Sequence, residues 1–144
     1  MRVVVQRCID AKCRVDNNIT GQIDKGLMVL VGFTEGDNLE KIDYLAKKVV
    51  QLRIFDDENG VMNKSLLDVN GSILSISQFT LYADTKKGNR PSYINALGGD
   101  SAKKLYDLWN DKLSQYAVLE TGVFGSNMKI EFTNDGPVTI ILER

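Results

Sequence analysis

Apolar residues recur along this chain with two periods, and the switches between them mark out the elements. Residues 2–9 and 12–16 are rich in valine and predict a strand or a bent strand. Asn17-Asn18 predicts a turn, followed by a short strand at 19–23. Leu27-Met28-Val29-Leu30-Val31-Gly32-Phe33 is a continuous apolar run, the pattern of a strand buried on both faces. After a loop at Thr34-Glu35-Gly36-Asp37 the period lengthens. Leu39, Ile42, Leu45, Ala46, Val49 and Val50 lie on one face of a helix that runs to about residue 52. Asp37, with Glu40 three residues on, forms a capping-box-like pair at its start.

Leu52-Arg53-Ile54-Phe55 predicts a short strand and Asp56-Asp57-Glu58-Asn59-Gly60 a turn. Asn70-Gly71 is a strong hairpin signal and leads into a strand over Ser72–Tyr82. Residues 83–99 form the longest irregular stretch, and long ordered loops are usually functional or mobile. A second amphipathic helix, capped by Asp100 or Ser101, turns Ala102, Leu105, Tyr106, Trp109, Leu113 and Tyr116 inward. Strands return at 117–121, 127–133 and 138–143. The order is strands, helix, strands, helix, strands, without a repeat or a linker. This predicts an α/β or α+β fold with two helices on a mixed sheet. The strands outnumber what two helices can cover, which points to a second sheet layer. At 144 residues, a single domain over 1–144 is expected.

Charge narrows the functions. Eighteen basic residues face 19 acidic ones, so no global field draws in nucleic acid, and any such contact needs a local patch. Lys47-Lys48 and Lys103-Lys104 fall on predicted helices, where a solvated face accounts for them. Lys86-Lys87 with Arg90 falls in the long loop directly after the Ser77–Leu81 segment. No stretch is long and apolar enough to span a bilayer, and the N-terminus lacks the pattern of a signal peptide, so a cytoplasmic location is expected. Cys8 and Cys13 sit five apart on one predicted strand, on opposite faces, and are expected to be buried free thiols. Histidine is absent, which removes the Ser-His-Asp triad and the Cys-His dyad. No Cys-x-x-Cys spacing or other dedicated ligand set is present, so neither a metal nor a cofactor is expected.

Two polar segments interrupt predicted strands. Ser77-Gln78-Phe79-Thr80-Leu81 ends one strand, and Asn134-Asp135-Gly136-Pro137-Val138-Thr139 opens the last. In an unbroken strand Gln78 and Thr80 share one face. They read either as ordinary strand polar residues or as part of a strand end whose free N–H groups hold an oxyanion. Thr80 has no adjacent base, and Gln78 takes no proton at neutral pH. Gly136-Pro137 reads either as hairpin material or as a cis peptide forming a rigid, side-chain-free corner. Phe124, beside Gly125, reads either as core or as a stacking partner for a nucleobase.

At these segments the chain closely resembles the D-aminoacyl-tRNA deacylase family of bacterial and eukaryotic type. The likeness runs nearly end to end. It is carried by Met1–Arg7, Leu52–Phe55, Met62-Asn63-Lys64-Ser65, Ser77–Asp84, Lys87-Gly88, Arg90-Pro91-Ser92, Gly122-x-Phe124-Gly125 and Asn134–Thr139. Cys13 and the 93–100 loop depart from the family pattern. The resemblance implies a three-layer β/β/α fold with mixed sheets and two main helices, used as a homodimer. It implies that Gly136-Pro137 is a Gly-cisPro motif reaching into a partner's pocket built around Ser77, Gln78, Phe79 and Thr80. The implied substrates are D-aminoacyl-tRNA and mischarged glycyl-tRNA. Arg7 would hold the corner, Phe124 and Met128 would flank the terminal adenosine, and Lys86, Lys87 and Arg90 would meet tRNA phosphates.

Overall fold

A computed structural model describes residues 1–144. Two long antiparallel strands, β1 (Arg2–Val15) and β2 (Asn18–Gly32), are joined at Asp16-Asn17. Both turn residues have positive φ (47° and 68°), the twist that a two-residue hairpin connection needs. The chain continues through α1 (Leu39–Gln51), β3 (Phe55–Asp56), β4 (Met62–Lys64), β5 (Ser72–Ser77) and a 3-10 turn (Phe79–Tyr82). It ends with α2 (Gly99–Ser114), β6 (Leu119–Thr121) and β7 (Lys129–Glu143). The main sheet has the order β6-β5-β2-β1-β7. It is antiparallel through β7, β1 and β2 and parallel through β2, β5 and β6. A separate ribbon pairs β3 with β4.

The sheet is mixed, as the pattern predicted, and its two faces bury different clusters. Val3, Val5, Leu27, Val29, Val31 and Ile73 face the helices. Ile42, Leu45, Ala46, Val49 and Val50 of α1 and Ala102, Tyr106, Trp109 and Leu113 of α2 are buried. Each large side chain so buried stabilises the fold by about 1.5–3 kcal/mol. Tyr116 lies past the end of α2 and stays exposed. On the other face Met28, Leu74 and Ile76 meet Ala11, Cys13 and Ile23, with Ile130 and Phe132 packed against them. The far halves of β1, β2 and β7 therefore fold over the sheet and supply the second β layer. No helix is long and apolar enough to cross a membrane.

Several local expectations are corrected. Cys8 and Cys13 are buried free thiols, but they share one cluster instead of facing opposite ways. Asp10 (φ 55°) breaks the alternation of β1, and at Gly26 (φ 157°) in the neighbouring β2 a side chain would overlap the Ser72 carbonyl. The turn at Asn70-Gly71 forms, with Asn70 at φ 50°, yet it makes no hairpin: β5 pairs parallel to β2. Residues 52–55 contribute only Phe55 to a strand. The expected strands at 127–133 and 138–143 are one strand, β7, so Gly136-Pro137 lies within a strand and does not open one.

Both helix caps also differ. Asn38 caps α1, its Oδ1 accepting from Lys41 N at 3.1 Å, and Gly98 precedes α2 without a side-chain bond. Asp37 is committed elsewhere. Its buried carboxylate accepts from the Met1 ammonium at 2.6 Å, Lys41 Nζ at 3.0 Å and Thr34 N at 2.8 Å.

Burial pushes the Cys8 thiol up to about 12, the Met28 backbone opposing and the charge of Asp135 adding to the rise. An unfolded chain ionises this thiol near 9.0, before the folded one does. The contribution to stability is therefore complete below that value and is lost as pH rises towards about 12. Native protein should resist iodoacetamide at mildly alkaline pH and react once unfolded. Urea midpoints should fall as pH rises through this window, and Cys8→Ser should flatten that fall.

Candidate active site

The expected strand over Ser72–Tyr82 stops at Ser77. Gln78 N donates to Val31 O at 2.7 Å, and the chain then tightens into the 3-10 turn. Gln78 and Thr80 consequently do not share a strand face. The turn leaves the Phe79 and Thr80 N–H groups without intrahelical acceptors, as the first residues of any helical turn must be. Leu81 N donates to Gln78 O at 3.3 Å and Ala83 N to Thr80 O at 3.0 Å. Gly32 lies beneath: a Cβ there would stand 2.8 Å from Gln78 O and 3.2 Å from Leu81 Cβ. Gln78 Nε2 donates to Thr80 Oγ1, so the Thr80 hydroxyl faces an amide, and neither end of an amide removes a proton at neutral pH.

Beside this turn lies a cavity of about 590 Å³. Ser77, Gln78 and Phe79 form one wall, Phe124 and Met128 a second, and Tyr93 with Leu97 a third. Phe79 is exposed and meets the Tyr93 ring edge-on at 5.0 Å between centroids. The Phe124 ring packs on Tyr106 at 5.8 Å. The Tyr106 hydroxyl donates to Ser75 O at 2.8 Å, and Gly122 N donates to the same oxygen at 3.0 Å. Trp109 Nε1 donates to Ser75 Oγ at 3.2 Å. Ser75 is fully buried, and it ties α2, β5 and the Phe124 loop together. Burial raises the Tyr106 hydroxyl above the ordinary phenol range, so it remains a donor. The sequence pattern places Tyr106 and Trp109 only in the core and gives Ser75 and Tyr93 no role. Only the placing of Ser75 inside an apolar strand signalled a buried polar node.

Gly136-Pro137 is cis, with Gly136 at φ 120°. Arg7, almost wholly buried, secures this corner. Its Nε donates to Asp135 O at 3.1 Å and pairs with Asp135 Oδ2 at 3.1 Å, while Nη1 donates to Ile54 O at 2.8 Å and to Asp56 Oδ1 at 3.2 Å. On the other side Val138 N donates to Asn134 Oδ1 at 3.2 Å. Gly136 and Pro137 are themselves exposed. Neither lines the cavity of its own chain, and nor does Arg7.

The structure thus brings Ser77, Gln78, Phe79, Phe124 and Met128 together, places Thr80 just behind them, and leaves the corner apart. It leaves the basic loop apart too. Lys86 and Lys87, with Asp84 and Ser92, line a separate recess of about 230 Å³. Asp84 and Ser92 close this loop through paired backbone bonds of 2.8 and 2.9 Å. Arg90 is exposed on it.

Residues 4–143 match the family model described as D-Tyr-tRNA(Tyr) deacylase. The chain belongs to that family. With it comes the class of hydrolases that act on ester bonds. The chain is 54% identical over 145 residues to a D-aminoacyl-tRNA deacylase of Limosilactobacillus reuteri (strain DSM 20016), each covered in full. The relative of the same name in L. reuteri subsp. reuteri (strain JCM 1112) is equally similar. Among solved structures, the c-Myc DNA Unwinding Element Binding Protein superposes with a TM-score of 0.94 at 34% identity, over 100% of this chain and 99% of that one. A probable eukaryotic D-amino acid tRNA deacylase shares the fold, with a TM-score of 0.84 at 17% identity over 98% and 97%. The same fold is thus kept at 17% overall identity.

The seating of the turn on Gly32 is directly testable. Gly32→Ala must push Gln78 or the whole turn outward, because the obstacle is backbone. It should cost about 1–3 kcal/mol in urea denaturation. Amide exchange should quicken at 79–83 and leave α1 unchanged.

Proposed function

We propose that this chain hydrolyses the ester of D-aminoacyl-tRNA, and of glycyl-tRNA formed on a non-cognate tRNA. The observation that carries the reading is the 3-10 turn after Ser77, which leaves the Phe79 and Thr80 N–H groups without acceptors in the turn, at the wall where Gln78 and Phe79 line an aromatic cavity. Water adds to the ester carbonyl carbon, and those two N–H groups receive the oxyanion. The bond to the ribose oxygen then breaks, giving free tRNA and the amino acid. The ester is already activated, so modest catalysis suffices. The terminal ribose 2′-hydroxyl of the substrate assists, because the chain has no imidazole and the Thr80 hydroxyl is engaged by Gln78. Phe124 and Met128 flank the terminal adenosine. Lys86, Lys87 and Arg90 meet phosphates of the acceptor stem, which makes binding sensitive to salt and tolerant of sequence.

Chirality is read by backbone. The Gly136-Pro137 corner lies outside the cavity of its own chain and is held by Arg7, Asp135 and Asn134. A homodimer completes the site by presenting each corner to the partner's cavity. The corner's carbonyls grip the substrate's amino group, an L side chain collides with it, and glycine passes because it has nothing to exclude. The reaction takes place in the cytoplasm. Nucleic-acid binding without chemistry is a second reading, favoured by the Lys86–Arg90 loop and by the name of one structural relative.

Side-by-side hydrolysis of D-tyrosyl-tRNA and L-tyrosyl-tRNA tests the proposal. The D ester should disappear and the L ester persist; survival of both would move binding without chemistry to first place. In Gly136→Ala a Cβ would lie 2.8 Å from Val138 Cγ2 and 3.0 Å from Arg7 Nη2, displacing the corner, and discrimination between D and L should weaken. Thr80→Val should keep turnover near the parent's. Complete loss in a folded, substrate-binding Thr80→Val variant would instead make that hydroxyl the nucleophile.

A further inference from the structure

We infer that Arg2 is a positioning residue for the 3-10 turn that carries the Phe79 and Thr80 N–H groups. This rests on the reading of that turn as the oxyanion site. Leu81 and Tyr82 close the turn. The Leu81 carbonyl lies at the end where the peptide dipoles gather negative charge, and Arg2 Nη1 donates to it. The same guanidinium lies over the Tyr82 ring, 5.0 Å from its centroid, and Nε pairs with Glu143 near the end of β7. One side chain therefore joins the turn's last two residues to the sheet. The backbone of Arg2 is opposite Gly32, the glycine on which the turn rests. Gly32 holds the turn from beneath, the Gln78–Val31 bond holds its entry, and Arg2 holds its exit.

Stability gives little reason for this arrangement. Arg2 and Glu143 are both partly exposed, and such pairs contribute at most about 1 kcal/mol. The positions of the two N–H groups, by contrast, depend on the pitch of a turn only four residues long. Loss of its exit contact rotates the donors away from a developing oxyanion while leaving the Phe124 and Met128 walls in place. The defect should therefore fall on kcat and spare KM.

The experiment measures kcat and KM separately on D-tyrosyl-tRNA, with amide exchange at 79–83 alongside. Arg2→Gln should lower kcat by about tenfold with KM within twofold, and should speed exchange in the turn. Arg2→Lys should recover part of kcat, because an ammonium can reach the Leu81 carbonyl but cannot also form the planar contacts. Glu143→Gln, which removes only the surface pair, should keep kcat within twofold of the parent's. Parent-like kcat in Arg2→Gln overturns the inference. So does a rise in KM alone, or an equal loss of kcat in Glu143→Gln. If Arg2→Gln does not fold, the Arg2→Lys and Glu143→Gln pair decides by the same criteria. If the parent itself leaves D-tyrosyl-tRNA intact, the proposed function fails separately. Exchange in the turn then decides whether Arg2 positions it, and unchanged exchange counts against that.

Discussion

Everything that could perform chemistry here depends on where three parallel strands stop pairing. β2, β5 and β6 run the same way, and their last mutual partners are Val31 with Ser77 and Ser75 with Thr121. Beyond these pairs the backbones diverge, and the freed ends open the cavity. Phe33, Phe79 and Phe124 follow the three strand ends and all line it. Ligand sites outside the carboxyl ends of parallel strands are a general outcome of such sheets, since the ladder bonds end there and the connections separate. Ser75 keeps the arrangement from loosening. Its carbonyl and hydroxyl take three donors from α2 and the Phe124 loop, in a place where an unsatisfied polar group would cost about 1–3 kcal/mol.

The antiparallel side of the sheet does different work. β1 and β7 carry the corner, which is fixed by a guanidinium whose bonds reach Asp135, Ile54 and Asp56. The guanidinium is buried while the Asp56 and Asp135 carboxylates are about half exposed, so a broken contact would leave the buried charge of Arg7 short of a partner. Precision is thus concentrated in backbone geometry at both places, the turn after Ser77 and the corner at Gly136. The side chains around them mostly hold that backbone still.

Legibility in the sequence followed the range of the interactions. The two helices were readable because a helical face repeats within a few residues, and five of the six apolar positions read for α1 are buried, while Leu39 in its first turn is exposed. The mixed sheet and the second β layer also followed from counting strands against helices. The parallel partner of β5 was not readable. Asn70-Gly71 sets a local turn, but β2 is chosen by packing across the sheet. The 3-10 turn was hidden because Phe79 and Leu81 continue a strand-like alternation. Asp37 reads as a cap in the sequence because its competing partner, the Met1 ammonium, is remote along the chain. For the candidate site, Ser77 to Phe79, Phe124 and Met128 were all picked out from the sequence and they do converge on one cavity. Tyr93 and Tyr106 carry no local signature, since an aromatic at a helix or loop position reads as core.

If each corner completes a partner's cavity, as proposed, the separation of corner and cavity within one chain has a consequence for how such a protein is governed. A site assembled from two copies obeys mass action. Its specific activity would be set by the concentration of the chain itself, falling on dilution once the copies part. An excess of chains lacking a working corner would capture intact ones in half-built pairs. Expression level would then tune selectivity as well as rate, because the cavity and the filter that guards it would part together.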